Sequence, residues 1–212
     1  MWGIWWPTRL MIDPADVASL VCRFSDFSDG EAVKSRDLVL MLLERSPAPF
    51  SRKQFTPGHI TATGLVLAPD RERLLLVHHR RLDRWLLPGG HVEPEDPTVL
   101  SAARREVIEE TGVRLEVDGA APLAGIDVHG IPPKGKDPYH LHHDLIFLFR
   151  AASDDFQVSP ESRGVVWCRP SEFDRYAVPG SVRRAYQRHR SSGVIGRILR
   201  LVPESVRHAW QR

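Results

Sequence analysis

The 212-residue chain has only two cysteines, Cys22 and Cys168, and neither sits in a CxxC or Cys/His spacing. That excludes a disulfide framework and a cysteine-bound zinc site, and it points to a reducing, cytoplasmic setting. No stretch of 18 or more apolar residues occurs, and no secretory leader is recognisable, so no membrane-spanning helix is expected. The tryptophan-rich opening Met1 to Met11 is interrupted by Pro7 and Arg9. Such an end can rest at a membrane interface, but packing on the domain is the simpler expectation. Net charge is also nearly missing, since 29 basic and 27 acidic residues leave +2. A protein that coats nucleic acid carries a clear basic excess, so nucleic acid is not expected as a partner. Internal repeats and low-complexity tracts are absent.

What is present is a composition that folds: 42% hydrophobic and 26% charged residues, enough chain for one domain with extensions. The near-neutral total hides a dipole. Residues 163–212 hold eleven arginines against three acids, whereas residues 93–118 hold eight acids against three arginines. Residues 1–56 read as a helical extension. Asp13 caps a helix that Pro14 begins, and a second helix over Asp29 to Glu44 buries Ala32, Leu38, Leu40, Met41, Leu42 and Leu43. From residue 57 the pattern turns to strands: His59–Leu67 and Arg73–His79 as a hairpin about Pro69-Asp70-Arg71, then Trp85–Leu87 and a Pro-Gly-Gly turn. A helix follows over Pro97–Thr111, ended by Gly112. Leu115–Val117, Ala124–Val128, His140–Ala151 and Val165–Cys168 are further strands. Two helices, Ser181–Arg190 and Val194–Arg212, close the chain, the second interrupted by Pro203. The expected division is an extension (1–56), a catalytic domain (57–190) and a basic amphipathic helix (191–212) packed on it.

Chemistry concentrates on the Pro97–Thr111 helix. At 100° per residue, Leu100, Ala103 and Val107 make a buried stripe, and Glu106, Glu109 and Glu110 share a different face. Like charges three and four residues apart repel. A hard divalent cation resolves that repulsion, and Mg²⁺ in octahedral oxygen coordination leaves positions for phosphate oxygens. Gly89-Gly90, free of side chains, lets the backbone approach a metal or pyrophosphate. Arg105 adjoins the carboxylates and can orient one of them. The competing reading is an ordinary solvated acidic face.

The stretch Gly90-His-Val-Glu-Pro-Glu-Asp96, continued by Arg105-Glu106-Val107-Ile108-Glu109-Glu110-Thr111-Gly112-Val113, resembles the signature of the Nudix hydrolases. The second half matches at every defined position. The first half departs: Asp96 stands where the signature has glutamate, and eight residues rather than seven separate it from Arg105. Asp96 before Pro97 also suits a helix cap, so its role is open. The resemblance implies an α/β (α+β) fold, an αβα sandwich with a mixed sheet. It implies Mg²⁺ (or Mn²⁺ as a substitute) held by Glu106, Glu109, Glu110 and a backbone carbonyl of Gly89, with Arg105 orienting a glutamate. The implied reaction is attack of metal-activated water on a diphosphate in a nucleoside diphosphate linked to another moiety, or in a nucleoside triphosphate. The general base is left unassigned, and a homodimer is an expectation from the resemblance only.

Ten histidines are many for this length. Alternation in the His140 strand puts His140, His142, Asp144 and Ile146 on one face. Asp127 and His129 share a face by the same argument. Such a ladder, with His91, can line a substrate site, bind a transition metal, hold a phosphate or supply a base, or it can be a set of ordinary hydrogen-bonded histidines. The Gly130–Tyr139 loop is either a lid or a connector; as a lid it would bring Lys134 and Lys136 to phosphates, with Trp85 or Tyr139 stacking a base. A pyrophosphohydrolase is the leading reading. A nucleotide-sensing module of the same fold, without hydrolysis, is the alternative, and three mutually repelling carboxylates argue against it. The basic tail is left to self-packing, subunit pairing or anionic lipid.

Overall fold

Strand β1 (Gly58–Leu67) is buried along its whole length, as expected of a central strand with cover on both faces. The computed structural model describes residues 12–24, 29–116 and 121–201. The Met1–Met11 segment, Val117 and the tail beyond Leu201 with Pro203 lie outside them. β1 turns back into β2 (Leu74–His79) through the expected hairpin. Asp70 builds that turn: its carboxylate accepts from the Glu72 and Arg73 amides at 2.9 and 3.1 Å, and Arg71 takes φ 61°.

The remaining strands are β3 (Arg84–Leu86), β4 (Gly89–His91), β5 (Leu123–Ile131), β6 (His140–Arg150) and β7 (Ser162–Cys168). They form one seven-stranded sheet in the order β3-β2-β1-β6-β5, with β4 joined to β1 and β7 to β2. β1 and β6 run parallel while the other pairs are antiparallel, so the sheet is mixed. The fold class is therefore α/β (α+β), as expected. Gly89–His91 is a strand rather than a turn, paired Thr63 to Gly89 and Thr61 to His91. Two glycines have weak strand propensity, but the open edge of β1 supplies partners that override it. Leu115 makes only an isolated bridge to Ala151.

Alternate residues of β1 and β6 feed two cores. Ile60, Ala62, Val66, Leu145, Phe147 and Phe149 pack with the helices α1 (Pro14–Cys22), α2 (Gly30–Arg45) and α3 (Val99–Thr111). Leu65, Leu67, Ile146 and Leu148 pack with Val182, Ala185 and Tyr186 of α4 (Gly180–Leu201). The sheet thus separates helices on its two faces. α3 presses directly on the β1 backbone at Gly64, where a Cβ would run into Val107.

Asp13 caps α1 as expected, accepting from the Ala15 amide at 2.8 Å. In α2, Leu38 and Met41 are 41% and 46% exposed, contrary to expectation. Burial follows Ala32, Ser35, Val39, Leu42 and Leu43, and Met41 points away from that face. The two closing helices are one. α4 runs unbroken through Ser191-Ser192-Gly193, since one glycine costs only about 1 kcal/mol in a helix. No helix among the described residues is long and apolar enough to cross a membrane.

Asp29 ties the two sides together. It caps α2 through the Ala32 amide at 3.2 Å and accepts from Arg184 Nε at 2.7 Å and Arg188 Nη1 at 2.9 Å. Burial raises its pKa, but the amide and the two guanidinium groups outweigh that and hold the carboxyl below its ordinary range. A depressed folded-state pKa adds stability that is present at neutral pH and lost as pH falls through that value. Asp29→Ala is expected to cost about 2 kcal/mol at pH 7 and markedly less near pH 3, read from denaturant midpoints at the two pH values.

Candidate active site

The acidic helix begins later than the sequence suggests. Thr98, not Asp96, is the N-cap of α3: its hydroxyl accepts from the Ser101 amide at 3.0 Å, and the Thr98 amide donates to Ser101 Oγ at 2.9 Å. Gly112 ends the helix at φ 61°, the left-handed conformation that glycine adopts freely. Val99, Ala102, Ala103 and Val107 form the buried face, and Leu100 is half-buried against it. The stripe is thus rotated slightly from the one expected, and Glu110, only 8% exposed, falls on its border.

Asp96 is freed from capping for another task. It is 6% exposed and accepts from Arg105 Nε at 3.1 Å and Nη2 at 2.9 Å, and from the Glu93 amide at 2.8 Å. This fork-to-carboxylate pairing is the geometry guanidinium suits best. The remaining Arg105 donors reach Glu106 Oε1 at 2.9 Å, Glu109 Oε2 at 3.0 Å and the His91 carbonyl at 2.9 Å. One arginine therefore gathers three carboxylates and the end of β4. These bonds, led by that to Asp96, hold its charge well above the ordinary arginine pKa. Despite the extra residue between them, Asp96 and Arg105 remain paired.

The glycine strand fits against the carboxylates. Glu110 Oε2 accepts from the Gly89 amide at 3.0 Å. A Cβ on Gly90 would lie 2.7 Å from the Glu106 carboxyl, so a side chain there displaces the carboxylate. Burial raises the pKa of Glu106, with Arg105 opposing it. Burial also pushes Glu110 up to about 7, partly offset by the Gly89 amide and helped by the charges of Glu106, Glu161 and Glu109. Buried Glu110, partly buried Glu106 and exposed Glu109, mutually repelling beside a side-chain-free strand, form a donor set suited to a hard divalent cation.

The polar row of histidines lies across the neighbouring strands. In register, His59 of β1 faces His142 of β6, which faces His129 of β5; next come Thr61, Asp144 and Asp127. Asp144 accepts from Thr61 Oγ1 at 3.0 Å and from Thr63 Oγ1 at 2.6 Å, and burial raises its pKa. His91 of β4 pairs with Thr61 and brings its ring within 5.1 Å of His59 and 5.4 Å of His142. His140 is buried, donating Nδ1–H to the Pro138 carbonyl at 2.8 Å. Burial lowers the pKa of His91 to about 4 and of His142 to about 2, so both rings are uncharged at neutral pH.

The sequence residues Gly89, Gly90, His91, Arg105, Glu106, Glu109 and Glu110 are thus brought together, with His142 and Asp144 on the adjoining row. Asp96 and His59 are additions. A pairing with Arg105 was the signal available for Asp96; for His59 it was the shared parity with Thr61 and Thr63. The Gly130–Tyr139 stretch is the end of a β5–β6 hairpin, closed by reciprocal backbone bonds between Lys134 and Asp137. Lys134 and Lys136 are exposed there, and the Trp85 ring is already stacked on His78 at 4.9 Å and edge-on to Tyr176.

The α/β domain thus places a mixed sheet between helical layers, with an arginine-gathered carboxylate helix against a glycine strand. A family description, NUDIX domain, matches residues 58–188, and the chain belongs to the Nudix family. It is a Nudix-type pyrophosphohydrolase. A Bacillus subtilis (strain 168) protein with the provisional name 8-oxo-dGTP diphosphatase is 32% identical over 120 residues, covering 57% of this chain and 73% of that protein. A MutT-like protein of Streptomyces ambofaciens is 31% identical over 116 residues, covering 55% and 68%. A solved NUDIX hydrolase from Nitrosomonas europaea aligns with a TM-score of 0.48 and 18% identity, over 63% of this chain and 88% of that one.

Proposed function

We propose that the protein hydrolyses a diphosphate linkage with Mg²⁺, in a nucleoside diphosphate linked to another moiety or in a nucleoside triphosphate. The observation that carries this reading is the gathering of Glu106 and Glu109 by Arg105, with Glu110 held by the Gly89 amide, all against Gly89-Gly90. Those three carboxylates and the Gly89 carbonyl would hold the ion, with Mn²⁺ as a substitute. When bound, the ion neutralises phosphoryl oxygens and lowers the pKa of water. Arg105 fixes the rotamers of Glu106 and Glu109, so the donors are oriented before substrate arrives. Gly90 keeps the approach to Glu106 open, because any side chain there occupies the carboxylate's place. His91, His140, His142 and Asp144 floor the neighbouring row and would contact the substrate. The nucleotide named for the Bacillus relative supports the triphosphate class. The two free thiols fit a reducing, cytoplasmic setting.

A panel of diphosphate compounds, assayed for phosphate release with Mg²⁺ or Mn²⁺, tests the reading. Wild type is expected to cleave at least one class, and Glu109→Gln to lose more than about 10²-fold in kcat. If no compound is cleaved, yet a nucleotide raises Tm equally in both proteins, the chain is a sensor rather than a catalyst.

A further inference from the structure

We propose that His59, His91 and His142 form a binding site for one borderline transition-metal ion of the zinc type, separate from the carboxylate helix. The three rings come from three different strands, β1, β4 and β6, and one nitrogen from each lies within 4.8 Å of the other two. Tetrahedral Zn²⁺ with Zn–N near 2.0–2.1 Å sets its ligand nitrogens about 3.3 Å apart. Side-chain rotations of about an ångström close that difference without moving the sheet.

His59 supplies the independent argument. It is fully buried, and its Nδ1 lies 3.0 Å from the Gln54 carbonyl, which can only accept. Nδ1 therefore carries the proton, and Nε2 is a bare lone pair. That Nε2 is among the buried side-chain atoms with no hydrogen-bond partner. A buried acceptor without a donor is destabilising, and nearly all such groups in folded proteins are satisfied by something. A histidine with one nitrogen fixed by a carbonyl, the other unpartnered, and its ring 5.1 Å from that of His91 and 4.9 Å from that of His142 has the arrangement of a metal ligand with its supporting hydrogen bond.

The ligand chemistry selects the ion. Three uncharged imidazoles suit zinc and its neighbours in the first transition row, whereas Mg²⁺ prefers oxygen. The hard ion is left to the carboxylates of α3 and the borderline ion goes to the histidine row. Three protein ligands leave a fourth position for water or a substrate oxygen, the pattern of an open site.

The test uses the full chain, dialysed against Zn²⁺ in excess Mg²⁺ and then assayed for metal per chain. Wild type and Glu109→Gln are each expected to retain one Zn²⁺. His142→Gln and His91→Gln, with folding checked by circular dichroism and melting, are expected to bind at least about 10²-fold more weakly. No retained Zn²⁺ in wild type, or undiminished affinity in a folded histidine variant, overturns the proposal. So does loss of Zn²⁺ in Glu109→Gln, which would put the ion on the acidic helix. Should the histidine variants fail to fold, Co²⁺ in wild type decides. Intense visible absorption of a low-coordinate imidazole site supports the proposal, and the weak spectrum of six-coordinate oxygen ligation overturns it.

Discussion

Arg105→Ala should lower stability by about 2–3 kcal/mol and reduce diphosphate hydrolysis by at least 10²-fold. The stability loss follows from Asp96. With Arg105 gone, this carboxylate, 6% exposed, keeps only the Glu93 amide among its present partners. Stranding a buried charge costs about 3–5 kcal/mol, and the lower figure reflects the 27% exposure of Arg105 itself. The activity loss follows from Glu106 and Glu109, whose carboxylates lose the donor that spans them. Arg105→Lys should recover little of either, because an ammonium cannot reach Asp96, Glu106, Glu109 and the His91 carbonyl together. Denaturant midpoints at pH 7 and kcat/KM on the best substrate of the panel measure the two effects separately.

Glu110→Gln should separate stability from activity in the opposite sense. Burial holds the Glu110 pKa at about 7, above its ordinary range. A carboxyl whose pKa is raised by folding favours the folded state while protonated, and that contribution is lost as pH rises through about 7. Glutamine is never charged and its amide oxygen can still accept from the Gly89 amide. With chelator at pH 8, the variant should therefore be more stable than wild type by on the order of 2 kcal/mol, and the difference should vanish near pH 4. Hydrolysis should fall by about 10³-fold, since a ligand carboxylate is gone. A variant both less stable and equally active would show that Glu110 is a structural hydrogen-bonding group. Thermal melts across pH and initial rates provide the readings.

The parts of the molecule legible from sequence are those fixed by local periodicity. The acidic face of α3, its Gly112 terminus, the Asp13 cap and the strand alternation in β5 and β6 depend on residues a few positions apart. Asp96 was ambiguous because capping and ion pairing are both short-range options, and only the path of the 92–98 loop chooses between them. Gly89–His91 becomes a strand through the partner edge of β1, which no local propensity reports. His59 joins the histidines through the parallel pairing of β1 with β6. The exposure of Leu38 and Met41 reflects which side of α2 meets the sheet, again a tertiary outcome.

The parallel pairing of β1 with β6 also orders events on the ribosome. Arg105, Asp96, the three glutamates, the glycine strand and its β1 edge all lie within residues 58–111, so the carboxylate half needs no later segment for the contacts described. The polar row waits for β6: Thr61 and its partner Asp144 are 83 positions apart in the chain. N-terminal portions emerge first during synthesis, and distant pairings are slow to form. A nascent chain halted after Gly112 would already hold the sequence of the acidic constellation, while the imidazole constellation would still lack the His142 contribution. The residues of the carboxylate helix therefore leave the ribosome before the last member of the histidine row, His142, does.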